Sequence, residues 1–264
     1  MKLGTALLTG LAMAIFIFIM APIMIVVLAS FTPRGYLEFP PQGVSLRWYA
    51  EVLASPIWLR AFGTSVALAF ISATVTTFVC FLAALVTTRR KVPGQSLFEL
   101  LVQMPLLLPH AALAMAMFSL VLLIGLRGTF PGLVVAHLII VLPFVYRPIV
   151  NGLRQHDISV EEAAMTLGAD PATTFRKITL PMIRPALISA FLFSFIVSFD
   201  EVTVSVFLIG VDLTTLPVKI LSDIQNSASP AIAAVSTMLM CLTLAMVYVI
   251  NRLVGIRMFV ENRA

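Results

Sequence analysis

Six long stretches of this chain carry almost no charge, and that restricts its possible folds more than any other feature. Charge-free runs fall at 3–33, 61–88, 100–126, 128–146 and 224–251, and a sixth, 185–211, is interrupted only by Asp200 and Glu201. A helix needs about 20 apolar residues to cross the hydrocarbon core of a bilayer. Only 11% of the 264 residues are charged; a soluble domain carries about 25%. Such a chain cannot solvate its own surface in water. The runs predict an all-α membrane protein with six transmembrane helices, at about 7–30, 62–87, 97–124, 131–150, 185–208 and 232–253. They leave no room for a large soluble domain, so residues 1–264 read as one membrane domain.

The basic residues orient it. With the N-terminus inside, the inner segments hold Lys2, Arg89, Arg90, Lys91, Arg147, Arg154, Arg176, Lys177, Arg184, Arg252, Arg257 and Arg263. The outer segments hold only Arg34, Arg47, Arg60, Arg127 and Lys219. Twelve against five places both ends in the cytoplasm by the positive-inside rule. The net charge of +5 is mostly this topology signal. No basic cluster is interleaved with exposed aromatics, which argues against a nucleic-acid partner. The first apolar run is much longer than a signal-peptide core and reads as an uncleaved span. Cys80 and Cys241 both lie in apolar runs; two buried thiols packing as small hydrophobes are expected, with a disulfide between them as the unsupported alternative.

Proline marks the irregular places. Pro40-Pro41 forbids a helix in the first outer segment, and Ser45-Leu46-Arg47-Trp48-Tyr49 begins a short helix at the membrane interface. Pro105 and Pro109 kink the third span, which is therefore expected to lie buried in the bundle.

The polar stretch 151–184 interrupts this apolar pattern and predicts a helix-turn-helix at the inner side. Ser159 and Glu162 form an S-x-x-E capping box. Gly168 suits the position that ends the first helix. Asp170-Pro171 starts a second, predicted to run to about Thr179 and to close at Pro181. Ala163 and Ala164 leave the first helix a smooth flank. Capping logic alone is equally compatible with an ordinary loop that happens to be helical. The longer pattern separates the two: E-A-A, three residues, G, nine residues, I-x-L-P, matched at Glu162, Ala163, Ala164, Gly168, Ile178, Leu180 and Pro181. It resembles the signature loop of bacterial ABC importer permeases.

Further segments are similar to the second permease of spermidine/putrescine importers: Ser45–Tyr49, Ser198-Phe199-Asp200-Glu201, Thr215-Leu216-Pro217-Val218 and Ser229–Ala234. The resemblance implies the type I ABC importer permease fold and a multi-pass place in the bacterial inner membrane. It also implies a second homologous permease, two ATP-binding cassette subunits that carry ATP and Mg, and a periplasmic solute-binding protein. Glu161, Glu162, Ala163, Ala164, Gly168, Ile178, Leu180 and Pro181 would form the ATPase-coupling set. The chain has no G-x-x-x-x-G-K-[ST] loop for a nucleotide of its own, and is expected to bind no cofactor and to be no enzyme. The solute is expected to be small and cationic, a polyamine such as putrescine or spermidine. The same importer type also serves other small solutes, among them amino-acid derivatives, opines and sugar conjugates.

Asp200 and Glu201 are the acids within a span, where a charge costs about 2.5–3.5 kcal/mol. On a continuous helix adjacent side chains diverge by about 100°, so the two carboxylates have different surroundings. One or both attract a cationic solute, together with Phe199 on the pathway, or they make a structural pair with another helix. A second function class, an intramembrane enzyme, would have to use this same pair. Phe195, Phe199 and Phe207 follow helical spacing and read as packing or as a pore lining. His110 and His137 are lone histidines in separate spans, and no cluster has metal-ligand spacing.

Overall fold

The computed structural model describes residues 2–226 and 229–254, with side-chain surroundings for 7–226 and 229–248. Arg257 and Arg263 of the expected basic tail lie outside the described residues. All regular structure among the described residues is helical. Two compact units are present, one of Met1–Arg60 with Lys219–Leu244, the other of Ala61–Val218 with the chain from Ala245.

In the first unit, α1 (Lys2–Ala29) is exposed along most of its length, as a lipid-facing span must be. The Pro40-Pro41 segment is non-helical and α2 (Arg47–Ala54) follows it. Trp48 departs from the interfacial expectation. Its ring is buried, and its indole N–H donates to the Thr32 carbonyl at 2.9 Å. A carbonyl freed in the irregular segment needs a donor, and the indole supplies one without leaving the apolar core. The Lys219 ammonium lies over the Trp58 ring, 4.8 Å from its centroid. Both cysteines are free; Cys80 is buried as expected, but Cys241 is exposed, because its helix turns that face outward.

The second unit is organised by two continuous helices and two broken ones. The continuous pair is α3 (Pro56–Arg89) and α6 (Phe130–Gln155). Both outrun the hydropathy limits, since polar residues such as Asn151, Arg154 and Gln155 end a span without ending a helix. The third run is a broken pair, not one kinked helix. It forms α4 (Gln95–Leu107) and α5 (His110–Leu123), bent by 112°. Leu108, pushed to an extended conformation by Pro109, makes the corner. Among the described residues, five helices are long and apolar enough to cross a membrane, and six if this pair counts as one span.

After α7 (Ser159–Thr166) and α8 (Pro171–Thr174), the fifth run is broken too. Here α9 (Leu180–Phe199) stops, and the short α10 (Thr203–Leu208) restarts after Asp200-Glu201-Val202. Then come α11 (Leu216–Asn226), absent from the expected outer loop, and α12 (Pro230–Val254), the last described element.

Each broken helix sends one half to each of two apolar cores. The core nearer the basic loops joins Phe81 and Ala84 of α3, Val102 of α4, Val145 and Ile149 of α6 and Ile183 of α9. The other joins Leu68 of α3, Leu113 and Val121 of α5, Leu133 and Ile140 of α6 and Val204 of α10. Thus α3 and α6 are pillars through both cores. Gly152 lets α9 close on α6: a Cβ there would stand 2.6 Å from that of Ala186. The corner at 106–112 contradicts the expectation of a buried third span. All seven residues are exposed, because the bend carries the corner out of both cores.

Candidate functional site

The polar stretch forms an elbow of α7 and α8. The S-x-x-E capping box does not form. Asp157 takes its place, its Oδ1 accepting the Ser159 N–H at 2.9 Å. Aspartate caps as well as serine, and it stands two residues earlier. The end of α7 is the expected glycine turn. Gly168 has φ +92°, its N–H donates to Met165, and the Ala169 N–H donates to Ala164, the two bonds of a Schellman motif. Asp170 caps α8 as predicted, its Oδ1 accepting the Thr173 N–H at 2.8 Å.

The second helix does not close at Pro181. It passes through a π turn, Phe175–Thr179, into α9, so the chain is helical from Pro171 to Phe199. In an α-helix the Pro181 ring would clash with the carbonyl four residues back, and proline has no N–H to donate. The widened turn, in which the Leu180 N–H reaches back five residues to Phe175, accommodates it. Ile178, Leu180 and Pro181 therefore sit at the junction of elbow and span, and do not mark a stop.

One contact fastens the elbow to a pillar. Arg89, the last residue of α3, donates both terminal nitrogens to the two oxygens of Glu161. Such forked pairing fixes geometry as well as charge. The Arg89 hydrogen bond holds the Glu161 carboxyl below the usual range, against the opposing effect of burial, and the Thr179 hydroxyl adds to it. Glu161 is thereby committed inward. Its neighbour Glu162 is exposed, as is Ala163, while Ala164 is half-buried. Leu167, at the tip, is 89% exposed, with Ile158, Val160 and Met165 exposed around it. Sequence reasoning missed Arg89, Asp157 and Leu167. An apolar residue set before a helix-ending glycine in a polar stretch was a usable signal for Leu167. Nothing local announces Arg89, 72 residues from its partner.

The break after Phe199 separates the acids more sharply than helical geometry alone. The Asp200 N–H closes α9 on Ile196, and its carboxylate is exposed. Glu201 is buried, and its Oε1 accepts the Val204 N–H at 2.8 Å, capping α10 from within the bundle. The expectation of two acids inside one continuous helix is thus corrected. Phe199 stacks on Phe195 at 6.0 Å and meets Phe62 edge-on at 6.2 Å, whereas Phe207 lies beyond the break on α10. His137 of α6 is fully buried, with Nδ1 2.8 Å from the Ser198 hydroxyl and Nε2 3.0 Å from that of Ser205. His110 opens α5 and is exposed. Among the described residues, no group of three or more His, Cys, Asp or Glu could hold a metal ion.

The overall fold is shared with a solved ABC transporter. A chain of the bacterial alginate ABC transporter, crystallised in complex with alginate pentasaccharide-bound periplasmic protein, superposes with a TM-score of 0.70 at 17% identity, over 95% of this chain and 93% of that one. That likeness defines the fold. Residues 79–258 match the family described as binding-protein-dependent transport system inner membrane component. The spermidine/putrescine transport system permease protein PotC of Haemophilus influenzae is 32% identical over 233 residues, 88% of this chain and 90% of its own length. The putrescine transport system permease protein PotI of Escherichia coli K12 is 32% identical over 232 residues, 85% and 82% of the two chains. The chain belongs to this family of ABC importer permeases and resembles its polyamine-transport members. It is a multi-pass inner-membrane transport subunit.

Proposed function

We propose that this chain is one of two permeases of an ATP-driven importer, and that it passes a small cationic solute, a polyamine such as putrescine or spermidine, inward by alternating access. The observation that carries the reading is the elbow: an exposed apolar tip at Leu167 on a short helix pinned through Glu161 to the end of α3. A partner groove that grips the tip moves α3 and α9 with it, because the latch and the unbroken helix from Pro171 transmit displacement as rigid bodies. In this reading Glu162, Ala163, Ala164, Gly168 and Leu167 meet an ATP-binding cassette subunit, which holds the ATP and Mg. Glu161, Ile178, Leu180 and Pro181 tie the elbow to the bundle. The twelve-to-five basic bias supports an elbow and both termini on the cytoplasmic side.

Solute chemistry follows from the break and from the relatives. Asp200 offers a carboxylate on an exposed face, and the stacked Phe199 lies beside it. An ammonium group is complementary to both. Glu201 is occupied by its cap, which removes the second acid that an intramembrane catalytic pair would need. The exposed corner at 106–112 supports a second, homologous permease. Irregular backbone at membrane depth is tolerated only against protein or along a water-filled path. A periplasmic binding protein would deliver the solute. The test is uptake of labelled putrescine into vesicles that hold the two permeases, with and without the ATP-binding subunits and binding protein. Uptake only with all components and ATP is expected. Uptake of an opine or sugar conjugate, but not of any amine, would overturn the cationic reading and leave the importer reading intact.

A further inference from the structure

The bracket around the break assigns a role to His137 that rests on the reading of Asp200 as a solute contact. We propose that His137 is a positioning residue: it joins Ser198, before the break, to Ser205, after it, and so fixes the direction in which Asp200 leaves the backbone. The two serines belong to different helices, α9 and α10, and only Phe199 to Val204 lie between them. A neutral imidazole has one donor and one acceptor nitrogen, and each serine hydroxyl can answer either. A single side chain on the continuous α6 thus holds both ends of the interruption, with all three groups buried.

Glu201 satisfies the backbone of α10 at the Val204 N–H but makes no link across the break to α9. With Glu201 alone, α10 could turn about the Asp200-Val202 segment. His137 removes that freedom at two points. Its position suits the task, since it lies on the pillar between Ala136 and Ile140 of the core that α10 joins through Val204. Core packing alone has no need of this polar set, because an apolar side chain would fill the space and Ser198 could bond a carbonyl one turn back in α9. That alternative also means that loss of the histidine need not unfold the chain.

The experiment uses the complete importer in vesicles and compares His137→Leu, His137→Gln, Asp200→Asn and the double variant His137→Leu/Asp200→Asn. Glutamine keeps a donor and an acceptor on one side chain. Assembly with the partner subunits is measured alongside the maximal rate and KM of uptake. If His137 acts through Asp200, His137→Leu assembles yet lowers the maximal rate by about tenfold or more. His137→Gln recovers to within about threefold, and the double variant falls no more than about twofold below the worse single one.

A double variant whose loss is the product of the two single losses overturns the proposal, as does wild-type transport by His137→Leu. Normal transport by Asp200→Asn sinks the reading of Asp200 and the positioning role with it. Impaired Asp200→Asn beside normal His137→Leu sinks the positioning role alone. Should His137→Leu fail to assemble, Ser198→Ala/Ser205→Ala, which deletes the same two bonds with little change of volume, takes its place in the cycle under the same criteria.

Discussion

The elbow at 157–180 and the break at 200–202 are both places where a helix stops and another starts, and they are built in opposite ways. The elbow uses local devices: an aspartate cap, a left-handed glycine, an aspartate-proline start. The break shares only the carboxylate cap, in which Glu201 accepts the N–H of Val204 three residues on. Ser198 to Thr203 contains no glycine and no proline; a buried glutamate meets the Val204 N–H, and a histidine 61 and 68 residues away bonds the hydroxyls of Ser198 and Ser205 on either side. Solvent explains the difference. An exposed helix end can leave its unpaired carbonyls and N–H groups to water. One inside an apolar bundle must find a protein partner for each, at a cost of several kcal/mol where it finds none (about 1–3 kcal/mol per group from substitution data). In the first case the chain writes the interruption locally, and in the second the fold does.

The comparison can be broken most directly at Gly168. Its φ of +92° is costly for any side chain, by about 1–2 kcal/mol and more for a β-branched one. Gly168→Val should abolish coupled uptake while the subunits still copurify, measured as solute imported per ATP hydrolysed. Wild-type uptake by this variant would show that the elbow geometry is dispensable.

Next come the acids, which the structure sets in different roles. Asp200→Asn should lower uptake by about tenfold, a loss of about 1.4 kcal/mol, and leave assembly unchanged. Glu201→Gln keeps the acceptor for the Val204 N–H and should transport near normally. Glu201→Leu strands that N–H and should lower the yield of assembled complex in detergent, in line with about 1–3 kcal/mol for a buried unpaired group. Equal behaviour of Asp200→Asn and Glu201→Gln would erase the distinction between them.

A smaller effect is expected at the latch. Arg89→Glu and Glu161→Arg should each reduce uptake per ATP a few-fold, and the exchanged pair should restore most of it, a coupling of about 0.5–3 kcal/mol between contacting residues. No recovery in the exchanged pair would mean that the contact transmits nothing.

The smallest expected effect is that of pH. The folded Glu161 carboxyl lies below its ordinary range, so its contribution is complete above the unfolded value, about 4.3, and is lost only as pH falls through the lower folded value. Uptake per ATP between pH 8 and about 5 should therefore show no titration that vanishes in Glu161→Gln.

The contrast also sets what could be read from the residues. The helical class, the positions of the apolar runs, the glycine at 168 and the cap at Asp170 depend on neighbours in the chain, and all are legible there. The limits of α3 and α6 are not, because hydropathy marks where lipid ends and the helices continue past it. Pro181 reads as a stop by the usual rule, yet a π turn absorbs it, an adjustment fixed by how α9 packs on α6. The broken fifth span has no local signal beyond the Glu201 cap. The bonds around it are divided among Ser198, Glu201, Ser205 and His137, and a lone apolar-face histidine most often signifies nothing beyond its own satisfaction.

The coupling role of the elbow is tested most directly by placing a photo-cross-linking amino acid at position 167 in an importer that still transports, in native membranes. The account predicts capture of an ATP-binding subunit, in an amount that changes when ATP is trapped on it. Persistent transport with labelling of lipid or of this chain alone would contradict it.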